Sequence, residues 1–401
     1  MRILIIGGGA AGMAAAICAA REGAKVTLLE RMDRVGKKLL ATGNGRCNLM
    51  NVGPWVYPGG SDFAAAVLAR CGAEKQIAFW AELGLRLREE DGGRVYPVSG
   101  QAATVLDTLR LAMENLGVEV VCDAAVSGII PEKHGFTVKT QAKTYHAHRV
   151  IAAGGGCAQP KLGSDGSLWS VFEELGHRVV SPKAALSQIM TDTSAIRGLS
   201  GIRAKADVTV EQHNQPLHKE SGEVLFADYG VSGVCVMQCA RYAAKGSRLV
   251  LSFLKGMGFA DEQELTNELL RRQKEWENQP MEKLLTGLCV PRLAGALCMD
   301  AGIRFRERQI GSLTRGEAAA LARSVAGFAL EVKGVKGFDS AQVTAGGLDV
   351  TQFDAATMES HLCPGLYAAG EMLDVDGTCG GFNLMFAFGS GILAARACVE
   401  E

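Results

Sequence analysis

Gly7-Gly8-Gly9-Ala10-Ala11-Gly12 carries the G-x-G-x-x-G spacing, and a carboxylate, Glu30, follows 18 positions after Gly12. In that spacing Gly7 permits a tight turn, Gly9 lets a pyrophosphate approach the backbone, and Gly12 lets a helix pack closely on a strand. The N-terminus of the helix that follows offers free N–H groups and a partial positive charge that suit phosphate. Glu30 is placed to accept hydrogen bonds from ribose hydroxyls, and its charge would repel a 2′-phosphate. The motif alone does not say which dinucleotide is bound.

Three further runs carry polar or glycine-rich chemistry. Lys37 to Asn48 (KKLLATGNGRCN) offers Lys38, the turn-tolerant Asn44 and Asn48, the small Cys47 and the cation Arg46. Arg46 suits the steadying of an anionic ligand, with a salt-bridged loop residue as the alternative, and the whole run also fits an ordered surface turn. Gly365 to Ala369 read as a strand ending at Gly370 and the carboxylate Glu371, suited to a ligand hydroxyl. Gly377 to Asn383 (GTCGGFN) then open a helix over Leu384 to Ala397, whose N-terminus would stabilise negative charge. Gly154-Gly155-Gly156 and Gly163 to Gly166 form another strand-to-glycine turn, but without the G-x-G-x-x-G spacing or a downstream acid. That predicts a loop closing over the same ligand and no separate NAD(P) domain.

Other chemistry is weaker. The 12 cysteines include no C-x-x-C pair, so a dithiol reductase is disfavoured and a reducing compartment favoured. Cys379 fits a turn filler. The histidines at 134, 146, 148, 213, 218 and 361 lack metal-ligand spacing, so no metal site is expected, and His177 fits a helix-end partner better than an acid or base. Gly230 to Gly233 (GVSG) lack the hydrolase-elbow spacing and suit a structural turn.

These residues need elements to hold them. Arg2 to Ile6 reads as a buried strand, Met13 to Arg21 as a helix stopping at Gly23, and Lys25 to Glu30 as a second strand, a complete βαβ unit. Residues 31 to 60 read as a long loop, Phe63 to Leu87 and Thr104 to Leu116 as helices, and Val118 to Val121 as a strand. Val126 to Ile130, Phe136 to Thr140 and Arg149 to Ala153 suggest a β-meander beside the main sheet. From Ser181 to Leu254 the pattern turns β-rich; Glu262 to Trp276 and Arg315 to Ser324 then read as amphipathic helices, before Phe328 to Val332 resume a strand.

At 401 residues, and about 150 per domain, two or three packed units fit. The hydrophobic share of 48% and 50 glycines suit an α/β enzyme. A net charge of −1 gives no field for nucleic acid or anionic lipid. No segment sustains about eighteen apolar residues without a charge or a break, so the sequence predicts a cytoplasmic protein that binds no membrane and no nucleic acid.

The stretches GGGAAG (7–12), KKLLATGNGRCN (37–48), GSDG (163–166), GEVLFADYGVSG (222–233) and GLYAAGEMLDVDGTCGGFN (365–383) resemble the BaiN-like FAD-dependent oxidoreductases, a family that includes aminoacetone-oxidase-type flavoproteins. The resemblance spans nearly the whole chain. It implies an α/β protein with a discontinuous Rossmann-type FAD-binding domain at 1–185 and 340–401. Between these lie a β-barrel-like substrate domain at 186–255 and 326–339 and a helical insert at 256–325.

FAD, non-covalently held, is implied rather than NAD. Gly7, Gly9, Ala10, Ala11, Gly12, Glu30 and Arg31 then look like adenosine and pyrophosphate contacts. Lys38, Asn44, Arg46, Cys47, Asn48, Gly154 and Gly155 would lie near the cofactor, Gly370 and Glu371 at the ribitol, and Gly380, Gly381, Phe382 and Asn383 at the isoalloxazine.

Met50, Phe382 and Met385-Phe386 depart from the threonine, tyrosine and polar-aromatic pair expected of the family, so cofactor identity transfers better than substrate identity. The resemblance permits NAD(P)H-dependent reduction of a hydrophobic enone or related small molecule, with NAD(P)H as a transient donor, or an amine oxidase using O2. A non-catalytic flavin redox sensor is the remaining reading.

Overall fold

In the computed structural model, which describes residues 1–305 and 307–400, the chain divides into two compact units. One joins Met1–Ala184 to the C-terminal stretch from Ala341; the other is Ala185–Ser340.

The first unit is built on a five-stranded parallel sheet. Its order is Leu366–Ala368, Arg149–Ala152, Arg2–Ile6, Lys25–Leu29, Glu119–Val121. Strand Arg2–Ile6 is central because its run of Ile and Leu is buried on both faces. The chain moves outward on one side of it through Lys25–Leu29 and returns on the other through Arg149–Ala152. The order of strands therefore reverses beside Arg2–Ile6, where α/β sheets leave a ligand crevice at the strands' carboxyl ends.

The alanine-rich helix Ala10–Arg21 is buried from Ala11 to Ala19 and packs on Phe382–Glu400. The two backbones approach so closely that a Cβ on Gly391 would lie 2.3 Å from the Ala11 carbonyl oxygen. Phe382–Glu400, although interrupted by Arg396, has the length and mean hydropathy of a membrane span, but 67% of that window is buried in the protein.

Several boundaries differ from the sequence reading. Residues 31 to 60 are not all loop: Lys37–Ala41 is helical, Thr42–Gly45 is a 3₁₀ turn, and Met50–Asn51 pairs with Arg94–Pro97, which also pairs with Leu87–Glu90. The charged Leu87–Glu90 has no apolar alternation to announce it. Phe63 to Leu87 is two helices, Ser61–Cys71 and Ala73–Glu82, broken at the extended Gly72. The meander's third strand is Thr144–Ala147, whereas Arg149–Ala152 belongs to the parallel sheet.

The second unit is a closed barrel in the order Ile189–Thr191, Gly230–Ser232, Gln215–Ala227, Arg203–Gln212, Arg248–Ser252, Phe328–Val335. Gly230 to Ser232 is thus a barrel strand and not a turn. Arg203–Gln212 buries Ala206, Val208 and Val210 on one face, the period of 2 that a half-buried strand requires. Helices Glu262–Glu275, Pro291–Asp300 and Arg315–Ala326 share its apolar core. The first is capped by Asp261, which accepts from Glu264 N at 2.8 Å, and the last by a Thr314–Glu317 capping box.

Candidate functional site

The three motif glycines have different surroundings. A Cβ on Gly12 would lie 1.9 Å from the Gly7 carbonyl oxygen, and one on Gly7, at φ +106°, 2.3 Å from the Ala153 oxygen. Gly9 faces open space, with nothing within 4 Å of its Cβ position. It is the N-cap of Ala10–Arg21 and has no side-chain cap, so the first-turn N–H groups are left for a ligand. Ala11, by contrast, is buried with its Cβ 3.0 Å from where a Gly370 Cβ would stand, which gives it a helix-packing role.

Glu30 ends strand Lys25–Leu29 and turns back under the glycine loop, accepting from Gly8 N at 2.7 Å and Met32 N at 2.8 Å. Burial raises its carboxyl pKa above the ordinary value, against the opposing pull of those two N–H groups. Arg31 pairs with Asp165 and lies 3.3 Å from Ser167 Oγ. The Gly163–Gly166 turn therefore sits beside the Glu30 end of the cradle.

On the other side of the crevice, Glu371 follows strand Leu366–Ala368. Its Oε1 accepts from Thr344 N at 2.9 Å and its Oε2 from Lys38 Nζ at 2.6 Å. A Cβ on Gly156 would meet Thr344 Oγ1 at 2.5 Å, and Thr344 Oγ1 also accepts from Cys157 N at 2.8 Å. Gly154 and Gly155 are equally crowded, by Leu168 and by Ser164 Oγ, each 2.9 Å from the Cβ position. The Gly154–Gly156 turn is thereby held against Glu371. Thr344 carried no sequence signal beyond its glycine neighbours.

The run from Gly43 to Cys47 is wound tightly: Gly43, Asn44, Gly45 and Cys47 have φ of 56°, 55°, 81° and 58°. Arg46 has the salt-bridged partner of its alternative reading: its guanidinium is bound to Glu90 Oε1 at 2.5 Å and lies 4.1 Å from the Tyr96 ring centroid. That pair holds the Glu90 carboxyl below its usual range. Cys47 is fully buried and its thiol is pushed up to about 12, so it is not a thiolate nucleophile.

Asn48 is different: its Oδ1 is buried with no hydrogen-bond partner and lies 2.8 Å from the Cβ position of Gly381. Asn383 instead clasps its own turn, accepting from Gly377 N and donating to Gly377 O, both at 2.8 Å. The Phe382 ring is buried edge-on to Tyr57, whose hydroxyl donates to Phe382 O at 2.7 Å. Asn51 Nδ2 donates to Gly380 O at 2.9 Å. Asn51 and Tyr57 hold the turn but lie in a stretch taken for loop, with no motif spacing to expose them.

His177 bonds Ser360 Oγ at 2.7 Å and stacks on Phe353, and burial lowers its pKa, a structural role. Among the described residues no group of three His, Cys, Asp or Glu side chains is arranged to hold a metal.

The family model for the HI0933-like protein Rossmann domain matches residues 1–397. The chain belongs to this family. It is a FAD-dependent oxidoreductase. A relative named 3-dehydro-bile acid delta(4,6)-reductase, from Clostridium scindens, is 36% identical, covering 100% of this chain and 99% of the relative. A second, named ribosomal RNA dihydrouridine synthase, from Escherichia coli, is 27% identical over 99% of this chain and 97% of its own length. Among solved structures, an open-conformation flavocytochrome c3 fumarate reductase aligns with 100% of this chain and 78% of its own, at a TM-score of 0.49 and 16% identity.

The chain's own residues fit FAD. Open Gly9 and the uncapped helix would suit the pyrophosphate, Glu30 and Glu371 would be the carboxylates for its ribose and ribitol hydroxyls, and the unpartnered Asn48 Oδ1 would suit an N–H donor such as the flavin pyrimidine carries.

Proposed function

We propose that the protein reduces a carbon–carbon double bond conjugated to a carbonyl in a hydrophobic small molecule, with NAD(P)H as the electron donor. The observation that carries this is the end-to-end 36% match to a reductase of 3-oxo bile acids. The second relative's name supports the same bond change, because dihydrouridine forms when a ring double bond conjugated to a carbonyl is reduced.

When bound, FAD would supply the hydride chemistry, so that the carbon β to the carbonyl gains a hydride originating from NAD(P)H and the α carbon a proton. The chain orients. Lys38 and Glu371 fix one face of the crevice, and helix Phe382–Glu400 turns its positive end to the turn at Gly380 and Gly381, where negative charge is stabilised. Tyr57 is not free to give the proton, since its hydroxyl serves Phe382 O and burial raises its pKa.

Ribosomal RNA is the less favoured substrate, because a net charge of −1 supplies no field for a polyanion. Anaerobic stopped-flow mixing of the purified holoenzyme tests the reading. Bleaching of the flavin by NADH or NADPH, followed by recolouring with a 3-oxo-4-ene bile acid, is expected. Bleaching by small amines alone would replace it with an amine oxidase, and bleaching by neither with a redox sensor.

A further inference from the structure

Val52, Trp55 and Val56 are 40%, 43% and 46% exposed, an unusual grouping of large apolar side chains within five residues. Of the four tryptophans, Trp80 and Trp169 are buried at 0% and 5%, so the exposure of Trp55 is not shared across the type.

The segment is tied to the Gly377–Phe382 turn along its length. Asn51 Nδ2 donates to Gly380 O at 2.9 Å, Thr378 N to Val56 O at 3.1 Å, and Tyr57 OH to Phe382 O at 2.7 Å. Gly59 N adds a bond to Asp376 O at 3.3 Å. Pro54 and Pro58 restrict the backbone on either side of Trp55. The Trp55 ring lies toward Gly72, its Cζ2 3.7 Å from the Cβ position of that glycine.

We propose that Val52, Trp55 and Val56 form an apolar lip that takes the flat face of a fused-ring substrate as it enters the flavin site, with Trp55 setting the preference for such substrates. The assignment rests on the reading of the Gly377–Phe382 turn as flavin-facing and on the reduction proposed above. An aromatic ring on a segment whose backbone is fixed to that turn binds a broad apolar ring system at little entropic cost. A nucleic acid fits less well. Val52 to Pro58 (VGPWVYP) holds no charged residue, and the neighbouring cation Arg94 stands across the strand pair, in register with Asn51.

The test compares Trp55→Ala and Trp55→Phe holoenzymes, normalised to flavin content, on a four-ring 3-oxo-4-ene bile acid and on cyclohex-2-enone. The alanine variant is expected to lose about tenfold in kcat/KM on the four-ring substrate, mostly through KM, and several-fold less on cyclohexenone; phenylalanine restores most of the loss. Equal losses on both substrates, or none, overturn the lip.

Equilibrium dialysis of the bile acid against oxidised holoenzyme reads the lip without turnover. Binding weakened about tenfold by Trp55→Ala upholds it even where wild type reduces no enone, an outcome that sinks only the reduction. Unchanged bile-acid binding overturns it. So does a change confined to the sedimentation coefficient, which would make the patch a protein contact, or to uptake of a uridine-containing RNA oligomer.

Discussion

Lys38 Nζ stands 2.6 Å from Glu371 Oε2, joining a helix early in the chain to the end of a strand 333 positions later. The contact ties the N-terminal and C-terminal stretches of the first unit together, and both side chains are about one-fifth exposed, at 24% and 21%.

A pair so placed is expected to contribute more to ligand retention than to folding. Partial exposure limits its stability value to about 1 kcal/mol or less. Lys38→Met and Glu371→Ala should each weaken FAD retention about tenfold, the worth of a charge-assisted hydrogen bond. Flavin-to-protein absorbance after gel filtration, beside urea unfolding of the apoprotein, separates the two effects. Full retention by Glu371→Ala would remove the carboxylate from the cofactor site.

The motif glycines predict a sharper contrast. Gly12→Ala puts a methyl 1.9 Å from a carbonyl oxygen, and Gly7→Ala forces φ +106° on a Cβ-bearing residue, so both should express poorly or unfold early. Gly9→Ala meets nothing within 4 Å and should fold normally, yet bind FAD at least about tenfold more weakly because the methyl occupies the phosphate approach. A yellow Gly9→Ala protein would show that the pyrophosphate does not pass there.

Glu30 gives a pH dependence with a definite sign. Burial raises its carboxyl above the ordinary 4.5, so the folded apoprotein holds that proton more tightly than the unfolded chain does. The resulting stabilisation is complete below about pH 4.5 and is lost as pH rises through the raised value. In FAD-free protein, the Tm of wild type relative to Glu30→Gln should fall as pH rises above about 4.5 and level off once the raised value is passed. Any fixed cost of the amide cancels in that difference. A flat difference would mean that the two backbone N–H bonds fully offset burial.

The ligand end of the fold was legible because its requirements are local. A tight turn, an open backbone and a strand-terminal acid are local demands, and the structure has Gly7 in a tight turn at φ +106°, open space at Gly9 and Glu30 at the end of its strand beneath the glycine loop. Arg46 shows the limit: the loop was visible, but its partner Glu90 lies in a charged strand without alternation, so the ion pair could not be foreseen. The partners of Thr344, Asn51 and Tyr57 were hidden for the same reason. Each of these residues acts through partners tens to hundreds of positions away, and no periodicity records such contacts.

Asn48 separates a cofactor contact from a structural one by the direction of its effects. A buried carbonyl oxygen without a partner costs the apoprotein about 1–3 kcal/mol, and Oδ1 of Asn48 is such an atom. Asn48→Ala removes the oxygen and its desolvation cost, so the apoprotein should be as stable as wild type or more so. The same variant removes an acceptor from the site, and FAD should bind about tenfold more weakly, since an N–H donor would then go unpaired. Asn48→Asp keeps an acceptor but adds charge; it should retain FAD better than alanine does and lower the flavin reduction potential, because the carboxylate opposes negative charge on the reduced cofactor. Apoprotein melting, FAD titration by fluorescence and dye-coupled potentiometry read the three quantities independently. A Asn48→Ala protein that melts well below wild type without FAD, and binds FAD unchanged, would assign Asn48 to the loop instead.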